Sequence, residues 1–190
     1  MRKLVYFVAS TLDGFIAAPD GDWSFFPFSA ESDLARLIRA EFPETLPTAL
    51  RQALGFDDAP NRRFDTVVMG RATYEPALKQ GITSPYAHLR QVVYSRTLLP
   101  DDPTVDIVPT DPVAHVRDLK AQAGADIWLC GGGQLAGTLW DEIDELIVKL
   151  NPVAAGEGIP LAQRAFAPTA LTLRSARPTE DGVVLLHYTR

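Results

Sequence analysis

Apolar residues fall along this chain in two rhythms. Short unbroken runs, rich in β-formers and too short for a helix, read as strands covered on both faces: Leu4 to Ser10, Thr66 to Met69, Gln91 to Tyr94, Val105 to Val108, Ile127 to Cys130 and Glu145 to Leu150. Between them the spacing turns helical. Ser29 is the expected N-cap of a helix reaching Phe42, with Leu34, Leu37, Ile38 and Phe42 on one stripe and Pro43 as its stop. Thr48 to Leu54 predicts a second, short helix ended by Gly55, and Gly70 to Glu75 opens another directly after a strand. Asp111-Pro112, a capping acid followed by proline at the first helical position, opens a helix through Val113, Val116, Leu119 and Ala123 that Gly124 closes. Leu171 to Ala176 and Val184 to Thr189 read as a terminal hairpin turned at Glu180-Asp181-Gly182. The pattern predicts an α/β fold of βα repeats, with a mostly parallel central sheet and antiparallel strands at its C-terminal edge.

One stretch, Asp126-Ile127-Trp128-Leu129-Cys130-Gly131-Gly132-Gly133-Gln134-Leu135, passes from buried strand through three glycines into a helix. Glycines let a ligand approach the backbone, and the free N–H groups of a helix start favour an anion, so this is the shape of a phosphate cradle. The same glycines also suit a close packing point with no ligand. Two further strand ends carry related chemistry: Gly70-Arg71-Ala72-Thr73 and Ser95-Arg96-Thr97. Ligands of open α/β sheets bind beyond the carboxyl ends of the strands, so three such ends can serve one dinucleotide. Arg71 and Arg96 would then supply fixed positive charge for a 2′-phosphate, which favours NADPH over NADH; the alternative for each is a solvated residue paired with the acidic excess.

The loop Thr11 to Ala18 and the turn Pro19-Asp20-Gly21-Asp22 lead into an aromatic cluster at Trp23, Phe25, Phe26 and Phe28 that reads as a lid. Trp23 is the candidate for stacking on a flat substrate ring, or part of a dimer surface. Asp33, and with it Asp13, are the candidate proton donors, although Asp33 also fits a first-turn acid favoured by the helix dipole. His88, His115 and His187 have no metal-ligand spacing, Cys130 reads as a buried strand thiol, and Trp128 and Trp140 as core.

Composition narrows the class. The 190 residues, 46% hydrophobic and 22% charged, suit a single domain spanning 1–190. A net charge of −6 without any Lys/Arg block argues against nucleic acid, and no apolar run approaches membrane-spanning length. A single cysteine excludes an intramolecular disulfide and, with no basic-apolar leader, predicts a cytoplasmic protein.

These motifs resemble those of a known superfamily. Val67-Val68-Met69-Gly70-Arg71-Ala72-Thr73-Tyr74-Glu75, Tyr94-Ser95-Arg96-Thr97-Leu98 and Leu129-Cys130-Gly131-Gly132-Gly133-Gln134-Leu135 are similar to the cofactor motifs of dihydrofolate reductases. Ala9-Ser10-Thr11-Leu12-Asp13-Gly14-Phe15-Ile16-Ala17 and the run from Asp144 to Leu161 look closer to the riboflavin-biosynthesis reductase branch. The resemblance implies a three-layer α/β/α fold, NADPH as cofactor, and hydride transfer to a pterin, a ribosylaminopyrimidine-like compound or a carbonyl substrate. It places Gly70, Arg71, Thr73, Ser95, Arg96 and Thr97 at the adenosine-phosphate end, Gly131, Gly132, Gly133, Gln134 and Leu135 at the pyrophosphate, and Ala9 and Ile16 beside the nicotinamide. Asp33 falls at the position of the carboxylate that supports pterin protonation. A homodimer is also implied. The zinc deaminase module of bifunctional riboflavin enzymes needs cysteine ligands that one Cys cannot supply. A nucleotide-binding protein without turnover is the alternative reading.

Overall fold

Each apolar run becomes a strand in the computed structural model, which describes residues 1–27, 29–99 and 101–190; Phe28, counted above in the lid, lies outside the described residues. In chain order the elements are β1 (Leu4–Ser10), β2 (Phe15–Ala17), α1 (Asp33–Glu41), α2 (Thr48–Ala53), β3 (Phe64–Gly70), α3 (Arg71–Leu78), β4 (Arg90–Tyr94), β5 (Val105–Val108), α4 (Pro112–Ala121), β6 (Asp126–Gly131), α5 (Gly133–Thr138), β7 (Glu145–Leu150), β8 (Ile159–Pro160), β9 (Thr172–Pro178) and β10 (Val184–Thr189). Eight strands form one sheet in the order β5-β4-β3-β6-β1-β7-β10-β9. The pairs from β5 to β7 are parallel, whereas β10 runs antiparallel to both β7 and β9. β2 and β8 make a separate two-stranded pair.

Alternation along the strands divides the core in two. Val5, Phe7, Val67, Met69, Trp128 and Ile147 face one way, under α1, α2 and Tyr74 of α3. Leu4, Tyr6, Val68, Leu129, Leu146 and Val148 face the other, under α4 and α5. Strands buried on both faces account for the continuous apolar runs, and the result is the expected three-layer α/β/α arrangement. Asp111 caps α4 as predicted, accepting from the Val113 N–H at 2.9 Å. The cap of α1 is Ser32 rather than Ser29: its hydroxyl accepts from the Ala35 N–H at 3.0 Å, while Ser29 holds the preceding turn by accepting from the amides of Glu31 and Ser32. β2 and β8, two or three residues each, are too short for periodicity to reveal.

One buried carboxylate sets the start of the central sheet. Glu44, fully buried, accepts from the backbone N–H groups of Arg62, Arg63 and Phe64 at 3.1, 2.7 and 2.8 Å. Those amides precede or open β3, so Glu44 supplies acceptors where the ladder is not yet formed. Among the described residues no helix is long and apolar enough to cross a membrane.

Candidate functional site

β3 leads through α3 outward to β4, and β6 leads through α5 toward β7 on the other side of β1. Because α3 and α5 cover opposite faces and spring from neighbouring strands, their N-termini diverge and leave a crevice at the carboxyl edge of the sheet. Open α/β sheets bind ligands at such a switch point. Gly70 and Gly132 are the N-caps of the two helices, and neither helix start receives a side-chain capping bond, in contrast to α1 and α4. Their first-turn N–H groups are therefore donors that no side chain caps, at the carboxyl edge of the sheet. A Cβ built on Gly131 or Gly132 would meet only Thr73 Oγ1, at 3.6 and 3.4 Å, so Thr73 and this glycine pair line an open notch. Gly131 has φ +142°, a conformation that a side chain would strain.

The remaining glycines of this segment serve packing. A Cβ on Gly133 would overlap the Pro160 carbonyl, and one on Gly137 the Gln163 carbonyl. The 159–163 segment lies tight on α5, with the Gln163 N–H donating to the Gly133 carbonyl at 2.8 Å and the Tyr6 hydroxyl to the Leu161 carbonyl at 2.9 Å. The packing reading holds at Gly133, which is filled, while Gly131 and Gly132 are open. Gln134 is exposed beside the notch, whereas the Leu135 side chain is buried and has only its backbone to offer a ligand.

The edge of the crevice carries positive charge. Arg71, the first residue of α3, donates to Thr97 Oγ1 at 3.1 Å and lies 3.5 Å from a Glu75 carboxylate oxygen. That bond joins the β3 and β4 ends, as a shared site requires. Ser95 Oγ accepts from the N–H groups of Thr97 and Leu98 and shapes the turn. Arg96 is exposed and has no acidic partner among the described residues.

Along the sheet, Ala9 is the last but one residue of β1 and Ile16 lies on β2 beyond the turn, where Thr11 bends the chain back by accepting the Phe15 N–H on its hydroxyl at 2.9 Å. Asp13 does not match the proton-donor role assigned above. Its carboxylate accepts from Thr11 Oγ1 and from the amides of Ala155 and Gly156, and these bonds, Thr11 foremost, hold the carboxyl at about 2. It is an ionised clamp between two loops. Asp33 stands at the first turn of α1, accepting from Arg36 at 3.3 Å and from the Glu180 N–H in the terminal hairpin turn at 3.4 Å. It lies at the same edge as the crevice, but beside β10, three strands along from β6. Trp23 is 62% exposed and stacks on no other ring among the described residues. A hollow of about 370 Å³ lies between the lid and the 153–157 loop, lined by Ala18, Pro19, Phe25, Val153, Ala154, Ala155 and Glu157. None of the residues at the crevice lines it.

One charged group was missed. Lys149 lies on β7 between Ala9 and Leu185 of the flanking strands, on the face that α1 covers. Its Nζ rests 4.4 Å from the Phe7 ring centre, and burial pushes its ammonium down to about 8, against a smaller opposing pull from Cys130. Cys130, driven up to about 11 by burial, neighbours it on β6, and Tyr86 packs edge-on against Trp128 at 5.0 Å and meets the Cys130 thiol. The available signal was a single cation within the apolar run Glu145 to Leu150. Trp140, expected in the core, is partly buried at its margin, packing on the α4/α5 face with the guanidinium groups of Arg164 and Arg190 near its ring.

Comparison with known proteins agrees with this architecture. The uncharacterized proteins YwjB and YyaP of Bacillus subtilis (strain 168) are 32% and 26% identical to this chain, covering 100% and 98% of it and 98% and 94% of their own lengths. Among solved structures, a protein of Shewanella sp. PV-4 described as a riboflavin biosynthesis protein superposes with a TM-score of 0.70 at 25% identity, over 99% of this chain and 98% of that one. The diaminohydroxyphosphoribosylaminopyrimidine deaminase/5-amino-6-(5-phosphoribosylamino)uracil reductase of Thermotoga maritima shares the fold, with a TM-score of 0.64 at 15% identity over 99% of this chain and 56% of that protein. The family model described as the RibD C-terminal domain matches residues 2–185, and the chain belongs to that family.

Proposed function

We propose that this protein is an NADPH-dependent reductase that transfers a hydride to a carbon of a C=N or C=O group in a small heteroaromatic or sugar-derived substrate. The observation that carries the reading is the pair of helix starts without side-chain caps, opening side by side at the β3/β6 switch point around Thr73, Gly131 and Gly132. A pyrophosphate would fit there, because helix-start N–H donors that no side chain caps and two positive dipole ends lie at a notch lined by the Thr73 hydroxyl and two open glycines. Arg71 and Arg96, joined to the notch through Thr97 and the β4 end, would hold the 2′-phosphate. Bound NADPH would supply the hydride, and the chain aligns the two rings: Ala9 and Ile16 beside the nicotinamide, the substrate under the lid with Trp23 at its rim.

The alternative, a nucleotide-binding protein without turnover, draws support from one observation: Asp13 and Asp33 are both held by hydrogen bonds within the protein. Titration of the purified protein with NADPH and with NADH, followed by nicotinamide fluorescence, tests the cofactor site. Selective binding of NADPH is expected, and binding of neither would overturn the reading. Oxidation of bound NADPH by dihydrofolate, a ribosylaminopyrimidine or an aldehyde separates the reductase from the silent binder. A homodimer belongs to the same proposal and is checked by light scattering.

A further inference from the structure

Proton delivery is the step for which neither predicted carboxylate is suited. Lys149 is differently placed. Its neighbour in register on β1 is Ala9, the residue that flanks the nicotinamide in the reading above, and both side chains project from the face that α1 covers. The Phe7 ring lies against the ammonium, and its three N–H bonds find no acceptor among the described residues. A partly buried ammonium against an aromatic ring, with no carboxylate partner among the described residues, is uncommon, because its desolvation is not offset by charge. Tyr86, Cys130 and Lys149 are each only partly buried although they belong to a covered face, so solvent reaches this part of the sheet.

We infer that Lys149 is the catalytic acid of this site, donating the proton that the substrate heteroatom needs as its carbon takes the hydride. The inference rests on the proposed reductase activity. As the C–H bond forms, the π pair of the C=N or C=O bond moves to nitrogen or oxygen. That atom takes a proton from Lys149, so one N–H bond of the ammonium breaks, an N–H or O–H bond forms on the product, and a neutral amine remains that solvent reprotonates. The hydride and its electron pair come from NADPH, so charge and atoms balance. The surroundings suit the role. Phe7 and Ala9 on β1, Leu185 on β10 and Leu34 and Ile38 on α1 are apolar, and Cys130 on β6 with Tyr86 are the titratable groups that face the amine. The charges at the start of α1 turn elsewhere, Asp33 to the Glu180 amide and Arg36 to Asp33 and the Glu31 carbonyl. An acid whose proton affinity lies close to neutral pH transfers that proton most effectively. The substrate class follows: a conjugated carbonyl or imine with its heteroatom toward β7.

The test needs two readings. The chain has four lysines, Lys3, Lys79, Lys120 and Lys149, so reductive ¹³C-dimethylation gives a small set of resonances that can be titrated without any ligand. Besides the N-terminal amine, which is labelled too and titrates low in every variant, one lysine resonance that titrates well below the other three and is lost in Lys149→Met is expected; four lysines titrating together would overturn the inference. With NADPH and whichever acceptor from the panel above is turned over, Lys149→Met and Lys149→Arg should both lower kcat by roughly 10²- to 10⁴-fold. NADPH affinity should change less than about twofold, and wild-type kcat should fall as pH rises through about 8. Arginine keeps the positive charge but holds its proton, so activity restored by Lys149→Arg would reduce the residue to a positive anchor and refute proton donation. Turnover within threefold of wild type in Lys149→Met would also refute it. Loss of NADPH binding in the wild type is a separate result that removes the reductase reading instead.

Discussion

Replacing Arg71 and Arg96 separates the two nicotinamide cofactors, and the surroundings set the size of the effect. A charge-assisted hydrogen bond to a phosphate contributes about 1.5–3 kcal/mol, and the lower end applies here because the Arg71 side chain is 52% exposed and screened by solvent. At about 1.4 kcal/mol per tenfold, each arginine is expected to strengthen NADPH binding by roughly tenfold and the two together by roughly a hundredfold. The two are not equivalent. Arg96 has no acidic partner among the described residues, so Arg96→Ala removes attraction and little else. Arg71 stands 3.5 Å from Glu75, and its removal also leaves that carboxylate facing the phosphate, so Arg71→Ala should cost more. Arg71→Lys should fall between wild type and Arg71→Ala, keeping the charge but not the fork that also reaches Thr97. NADH, without the 2′-phosphate, should change by about twofold or less in every variant, and 0.5 M salt should narrow the NADPH losses. Fluorescence titration of both cofactors against all three variants provides the measurement. Equal losses for NADH and NADPH would refute the assignment of this edge to the 2′-phosphate.

Three other perturbations reach different parts of the molecule. Glu44→Ala leaves three amides at the start of β3 without acceptors and should lower stability by about 3–5 kcal/mol, read as a shift of the urea midpoint; a loss under about 1 kcal/mol would show that water replaces the carboxylate. Gly137→Ala drives a methyl into the Gln163 carbonyl and should cost about 1–3 kcal/mol by calorimetry, while Gly132→Ala, whose Cβ meets Thr73 Oγ1 at 3.4 Å, should cost less stability and more NADPH affinity. Glu145 supplies the pH dependence. Burial raises its carboxyl, but bonds from Lys3, Arg63 and His187 outweigh burial and hold it at about 2, below its ordinary 4.5. Its contribution to stability is therefore complete above about 4.5 and lost as pH falls toward about 2, so urea midpoints measured from pH 6 to 2.5 should drop more steeply in the wild type than in Glu145→Gln.

The strands were legible because burial on both faces demands unbroken apolar runs, and α4 because Asp111-Pro112 is a start signal with one geometry. Ser29 was the wrong cap since two serines precede the helix and only the turn between them decides which hydroxyl reaches an N3 amide. The glycine run announced a strand-turn-helix junction, but which glycine is filled depends on Pro160 and Gln163, more than twenty-five residues away in the chain. Asp13 offers a carboxylate in the loop Thr11 to Ala18, and its partners Ala155 and Gly156 are likewise distant, so nothing local marks it as a clamp. Lys149 is the opposite case: its position in an apolar strand was visible, but that it lies against Phe7 with no carboxylate partner among the described residues is a fact only three dimensions supply.

The strip Ile159–Gln163 ties together regions that the sheet would otherwise keep apart. It seats against Gly133 and Gly137 of α5, pairs with β2 through Pro160 and Phe15, and receives the Gly14 carbonyl on the Leu161 N–H at 2.9 Å. The start of α5 and the root of the lid are therefore fastened to one belt, and a displacement at either end is passed to the other through a handful of backbone bonds. Amide exchange at Leu161 and Gln163 should accordingly slow when a ligand occupies the helix start, even though neither amide touches it.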